Sequence, residues 1–260
     1  MNMISPEPEA LQCLEVRGGN SVTNEVITAA DIKLAIYARP FAESDQGGDI
    51  HYISACGSDQ IIRIALADVS GHGEAVGELA QGLQRIMRQN IETIDHTDFV
   101  RSLNEEFAKL STGGNFATAL VSAYYRPDNT LILCNAGHPP PFHYVAASKT
   151  WSMLDESAGN PTPGISDVPL GVIAGTDYSQ IAVSMNPGDM VVMYSDSLSE
   201  SQNPAGQQLH EEGLLKLVMK LSADDGAALC EATINEVSAY RNGSSADDDE
   251  SVLVVWRPAT

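Results

Sequence analysis

Basic residues are scarce in this chain: 14 Lys and Arg stand against 35 Asp and Glu, a formal net charge of −21 over 260 residues. A surface so short of positive charge repels the phosphate backbone of nucleic acid and an anionic bilayer, so neither is expected as a partner. Cysteine is sparse too. Cys13, Cys56, Cys134 and Cys230 are far apart and form no CxxC pair, a pattern that suits a reducing compartment better than a disulfide scaffold. No run approaches the roughly 20 apolar residues of a membrane helix. The opening MNMISPEPEALQ has neither the basic nor the apolar region of a secretory signal, so a cytoplasmic protein is expected. G-x-S-x-G is absent, and no Cys lies in a phosphate-cradling loop, which leaves no obvious covalent nucleophile.

What is present is enough apolar sequence for a sizeable core, 43% of the residues. Residues 1–28 are polar and weakly patterned and are expected to form an arm or peripheral element, with one domain over 29–260. In DIKLAIYAR, Ile32, Leu34, Ile36 and Ala38 alternate with the residues between them, the period of a half-buried strand. IHYISAC and IIRIALAD, separated by the turn-like GSDQ, read as a hairpin. Helical spacing follows in EAVGELAQGLQRIMRQN, where Val76, Leu79, Ala80, Leu83, Ile86 and Met87 share one face. A second helix is predicted from Thr97 as N-cap, burying Phe99, Val100, Leu103, Phe107 and Leu110. Strands return in NFATALVSAYY, TLILCNAG, PFHYV, TWSML, SQIAVSM and DMVVMYSD. Two helical patterns and a last strand, SVLVVWR, complete the order. Strands at both ends with helix pairs between them, and hairpins rather than crossovers, predict an α+β sandwich of mainly antiparallel sheets.

Four carboxylates flank strand-like runs at their loop ends. Asp49 precedes IHYISAC, Asp68 closes IIRIALA, Asp196 closes MVVMYS, and Asp248 lies in the DDDE run before SVLVVW. Taken singly, each is an ordinary turn or surface acid. Brought to one mouth of a sandwich, they would repel one another and raise each other's pKa, a conflict that a divalent cation removes. Oxygen-only ligation points to a hard ion such as Mg²⁺ or Mn²⁺. Asp68, on the central hairpin, is the natural bridging ligand, and Gly71 and Gly73 let the backbone turn tightly beside it.

Taken in order, seven stretches carry a family resemblance: RPFAESDQGGD (39–49), ALADVSGHGEAVGELA (65–80), NFATALVSAYY (115–125), LILCNAGHPPPF (131–142), PLG (169–171), NPGDMVVMYSDSLSE (186–200) and DDDESVLVVW (247–256). The chain resembles the metal-dependent protein phosphatase (PPM, type 2C) superfamily in its bacterial SpoIIE-like branch. The resemblance implies a four-layer αββα sandwich with two Mn²⁺ or Mg²⁺ ions at one end. Position by position, it implies metal binding by Asp49, Asp68, the backbone carbonyl of Val69, Asp196 and Asp248. Asp68 then bridges the ions and holds the nucleophilic water. Gly48, Gly71, His72 and Gly73 shape the loops, as does His138, and Arg39 either contacts substrate phosphate or is an exposed residue at a strand end. The implied activity is hydrolysis of phosphoserine or phosphothreonine in a phosphoprotein, with a STAS-domain protein as the substrate class and a homodimer as one route to regulation. Three positions depart from the family pattern. Ser197 stands where Gly is usual, Tyr52 stands where a further Asp is usual, and the register of Asp247, Asp248 and Asp249 is open, with Asp248 preferred. Ser197 favours a competing expectation, a phosphatase fold that binds a partner without hydrolysis.

Overall fold

Alternation along the strands becomes two buried faces. In the computed structural model, which describes residues 9–56, 60–71, 74–93, 95–111, 114–155, 158 and 167–259, the first strands are β1 (Glu9–Ala10), β2 (Val16–Gly19), β3 (Thr23–Ala29) and β4 (Ile32–Arg39). The hairpin predicted from IHYISAC and IIRIALAD is β5 (Asp49–Ala55) and β6 (Ile61–Val69), paired antiparallel over seven residues. Helices α1 (Glu74–Gln89) and α2 (His96–Leu110) follow. The N-cap of α2 is Asp95 rather than the predicted Thr97: a carboxylate oxygen of Asp95 accepts from Asp98 N at 3.0 Å, which places Thr97 inside the first turn. Next come β7 (Ala117–Tyr125), β8 (Thr130–Ala136), β9 (Phe142–Val145), β10 (Thr150–Met153), β11 (Ile181–Ser184) and β12 (Met190–Tyr194). The short α3 (Asp196–Ser199), then α4 (His210–Val218), α5 (Gly226–Tyr240) and β13 (Glu250–Trp256) complete the order.

Seven strands form one sheet in the order β1-β3-β4-β13-β12-β9-β10, and six form the other in the order β11-β8-β7-β6-β5-β2. All neighbours are antiparallel except β1 with β3. Odd and even residues of each strand serve different cores. Ile62, Ile64 and Leu66 of β6 pack between the sheets with Leu34, Ile36, Leu253 and Val255. Ala65, Ala67 and Val69 face α1 and α2, against Leu83, Met87, Phe99 and Phe107. On the opposite side, Val252, Val254 and Trp256 meet Leu214, Val218, Leu229 and Val237 of α4 and α5. Three cores separate four layers, the αββα arrangement. A fully buried aliphatic side chain is worth about 1.5–3 kcal/mol, so this layering is the main source of stability.

Residues 9–28, expected as an arm or peripheral element, lie within the two sheets, with β1 and β2 as edge strands. They supply β1, β2 and most of β3, and β3 pairs with β4 along its whole length with Ile27 and Ala29 in the central core. Polar residues interrupt both faces of β3 (Thr23 and Glu25 on the face of Ile27, Asn24 and Thr28 on that of Val26), which hides the strand period. No helix among the described residues is long and apolar enough to cross a membrane.

Candidate metal centre

Because β5 and β6 run antiparallel, the start of one meets the end of the other, and Asp49 lies directly opposite Asp68. Like charges in that relation destabilise a sheet. Asp49 is 6% exposed, and its Oδ2 is buried with no hydrogen-bond partner among the described residues. Burial pushes its pKa well above the usual carboxylate range, the charge of Asp68 adds to this, and the hydroxyls of Ser251 and Ser195 pull it partly back. Asp68 is pushed up to about 7, first by burial and then by the charges of Asp196, Asp248 and Asp249. Asp196 is raised by burial, then by Glu200 and Asp248. Carboxylates from both sheets therefore act on one another at one end of the sandwich.

The seven-stranded sheet brings its acids there through β12 and β13. β12 runs into Ser195 and Asp196, while Asp248 lies two residues ahead of Glu250, where β13 begins. Ser195 N donates to Ser251 O at 3.0 Å and Ser251 N to Ser195 Oγ at 2.9 Å, which locks the two segments side by side. Asp249 stitches the sheets together. Its Oδ1 accepts from Phe41 N at 2.6 Å, and its Oδ2 from Gly48 N at 2.5 Å and Asp49 N at 3.2 Å. Both oxygens of Asp249 are thus committed to backbone N–H groups, in a residue 8% exposed. Asp248 is solvent-facing, with Oδ1 accepting from Asp249 N at 2.8 Å. Within the acidic run, Asp249 is thus tied to the backbone while Asp248 faces solvent.

The approach of the strands depends on a missing side chain. A Cβ built on Gly48 would lie 3.0 Å from the Val69 carbonyl oxygen and 3.2 Å from Asp68 Oδ1, so glycine leaves open the space these oxygens border. Val69 N closes the contact by donating to Gly48 O at 3.3 Å. Gly71 has φ +115°, a turn that side-chain-bearing residues rarely adopt. His72 and Gly73 lie outside the described residues. Among the described residues no three His, Cys, Asp or Glu side chains close into a ready-made ion cage. The donor chemistry nonetheless fits a hard divalent cation: oxygens alone, one of them a buried orphan, on carboxyls held above their ordinary pKa by burial and then by one another.

Ser197 does not stand over this space unengaged. It is 7% exposed, sits within α3, and its hydroxyl lies 3.3 Å from Ser195 Oγ. Arg39 ends β4, opposite Glu250, on a cleft that it shares with Asp248. His138 is buried, its pKa pushed down to about 4 by burial. Its ring Nδ1 is 2.9 Å from Thr118 Oγ1, and Asn135 bonds both its N–H and its carbonyl, so it acts as a loop pin. Residue spacing gave no sign of one further contact. Arg241, at the end of α5, donates to Glu250 Oε1 at 2.6 Å and to Ser201 Oγ at 3.2 Å, and Ser201 Oγ donates to Ser197 O at 2.8 Å. That buried chain ties the segment carrying Asp196 to the segment carrying Asp248. Nor was the clamp role of Asp249 legible, although the DDDE run marked its position.

Residues 58–258 match the family model of SpoIIE, stage II sporulation protein E. The chain is 25% identical over 178 residues to the phosphoserine phosphatase RsbU of Bacillus subtilis, a match covering 68% of this chain and 49% of RsbU. It thus spans about half the length of that relative. The fold superimposes on the RsbU and RsbW domains of Rv1364c from Mycobacterium tuberculosis with a TM-score of 0.70 and 20% identity, over 96% of this chain and 62% of that one. For the PP2C phosphatase domain of SpoIIE from Bacillus subtilis, solved with a fragment of its regulatory domain, the TM-score is 0.69 at 18% identity, over 94% of this chain and 64% of that one. At these identities the likeness to the solved structures is one of fold.

Proposed function

The chain belongs to the SpoIIE family, and on that footing we propose that it is a metal-dependent phosphatase of phosphoserine and phosphothreonine in proteins. The observation that carries this reading is the cross-strand pair Asp49–Asp68, under the influence of Asp196 and Asp248 from the other sheet. Asp49, Asp68, Asp196, Asp248 and the Val69 carbonyl would hold two ions of the Mn²⁺ or Mg²⁺ type, with Asp68 shared between them. Such ions, when bound, supply an activated water and stabilise charge on the phosphoryl oxygens. The chain's own part is to hold those oxygens still. Asp249 fixes the backbone of Gly48 and Asp49, and Ser195 fixes the start of β13 beside Asp196. Arg39, at the mouth of the adjoining cleft, orients the substrate phosphate. A phosphorylated STAS-type protein in the cytoplasm is the substrate we expect, in keeping with the phosphoserine phosphatase RsbU among the relatives.

A non-hydrolysing binding module is the second reading, and Ser197 was its support. The engagement of that hydroxyl with Ser195 in the buried α3 turn weakens it. The deciding experiment is hydrolysis of p-nitrophenyl phosphate with Mn²⁺ or Mg²⁺, expected in the wild type and abolished in Asp68→Asn and Asp196→Asn. Turnover that survives both substitutions, or no turnover with either ion, refutes the proposal.

A further inference from the structure

A cleft of about 360 Å³ opens beside the carboxylates, between α5 and the end of β4 with its following turn. Asp248 lies on its wall, so the cleft adjoins the candidate metal centre through that residue. Phe41 also lines it and is 47% exposed, while Tyr37 and Ile234 add apolar surface. The turn holding Phe41 is both strained and firmly held. Ala42 has φ 53°, a left-handed conformation that a residue with a Cβ adopts only under constraint. The Phe41 N–H is clamped by Asp249 Oδ1 at 2.6 Å, and the same carboxylate holds Gly48 and Asp49 through Oδ2. An aromatic ring half in water stabilises the fold little. What the arrangement does provide is an apolar surface at a fixed distance from Asp49.

We propose that this cleft receives the polypeptide flanking the phosphoserine, and that Phe41 is a specificity-determining residue that packs on an apolar side chain one or two positions from it. An extended chain advances about 3.3 Å per residue, so such a side chain reaches the cleft while the phosphate lies over the carboxylates. The inference rests on the phosphatase reading and deepens it by naming a substrate feature. p-Nitrophenyl phosphate has no polypeptide and does not use the cleft.

The test compares phosphoserine peptides carrying Gly or Leu at the two positions on either side, with p-nitrophenyl phosphate as the small ester, all with Mn²⁺. The wild type is expected to favour a Leu peptide about five- to tenfold in kcat/KM, as part-burial of a phenyl ring predicts. Phe41→Ala erases that preference, leaving hydrolysis of the small ester and Mn²⁺ affinity by calorimetry unchanged. Phe41→Leu keeps most of it. A wild type that cleaves the small ester without distinguishing the peptides overturns the inference alone, as does a preference that persists in Phe41→Ala. An equal loss on both substrates in Phe41→Ala also overturns it, by showing that the ring supports the centre itself. A wild type inactive on the small ester overturns the phosphatase reading and this inference with it.

Discussion

The ion pair Arg241–Glu250 offers a way to separate stability from site geometry. Its partners are 2.6 Å apart with side chains 8% and 7% exposed, so each charge has lost nearly all its water. Removing one partner strands the other, at a cost of about 3–5 kcal/mol. For a chain of this size each kcal/mol moves Tm by about 2–4 °C, so Arg241→Met or Glu250→Leu alone is expected to lower Tm by about 6–20 °C. The double variant Arg241→Met/Glu250→Leu buries no stranded charge, and apolar replacement of such pairs is often neutral or stabilising. Its Tm should return close to that of the wild type. Mn²⁺ affinity should not return, because the brace from Glu250 through Arg241 and Ser201 to the Ser197 carbonyl has gone. Loss of a contact that orients metal ligands typically weakens binding ten- to a hundredfold, and about tenfold is expected at this remove. Thermal unfolding by circular dichroism and Mn²⁺ titration calorimetry read the two quantities independently. Single variants losing less than about 1 kcal/mol would refute the stranded-charge reasoning, and a double variant with full Mn²⁺ affinity would refute the brace.

Two other expectations concern the carboxylates. Asp68 holds its proton up to about pH 7 when folded, against an ordinary value near 4 when unfolded, so the folded state binds the extra proton. Metal-free protein in EDTA should therefore gain stability as pH falls from 8 to 6, by about 1.4 kcal/mol more than Asp68→Asn does; parallel urea midpoints for the two proteins would contradict this. In Gly48→Ala the new methyl group meets the Val69 carbonyl and Asp68 Oδ1 at 3.0 and 3.2 Å. Mn²⁺ affinity should drop at least tenfold with little change in metal-free Tm, and unchanged affinity by calorimetry would show that this space is not where an ion sits.

The parts of the fold legible in the sequence were those where one face is apolar and the other is not. β4 declared itself through Ile32, Leu34 and Ile36, and α1 through its single apolar face. β3 did not, because Glu25 stands on the face of Ile27, and its strand state comes from pairing with β4 rather than from its own pattern. The start of α2 was off by two residues, because Asp95 and Thr97 are both good caps and only the bond to Asp98 N decides between them. Among the site residues, Asp49 and Asp68 could be paired from the hairpin alone. Their meeting with Asp196 and Asp248 depends on two sheets closing on each other, which no local pattern encodes. The commitment of Asp249 to three backbone N–H groups was out of reach for the same reason, since Phe41 and Gly48 are some 200 residues away in the chain.

β13 lies between β4 and β12, in the middle of its sheet, although it follows both of them by many residues in the chain. Until residues 250–256 emerge, β4 and β12 each present an unpaired edge, open to mispairing with other nascent chains. Asp248 and Asp249 arrive just ahead of that same strand. A truncated product lacking it would have neither a closed sheet nor a complete set of carboxylates. Closure of the sheet and arrival of the last acidic residues are therefore tied to one late event in synthesis.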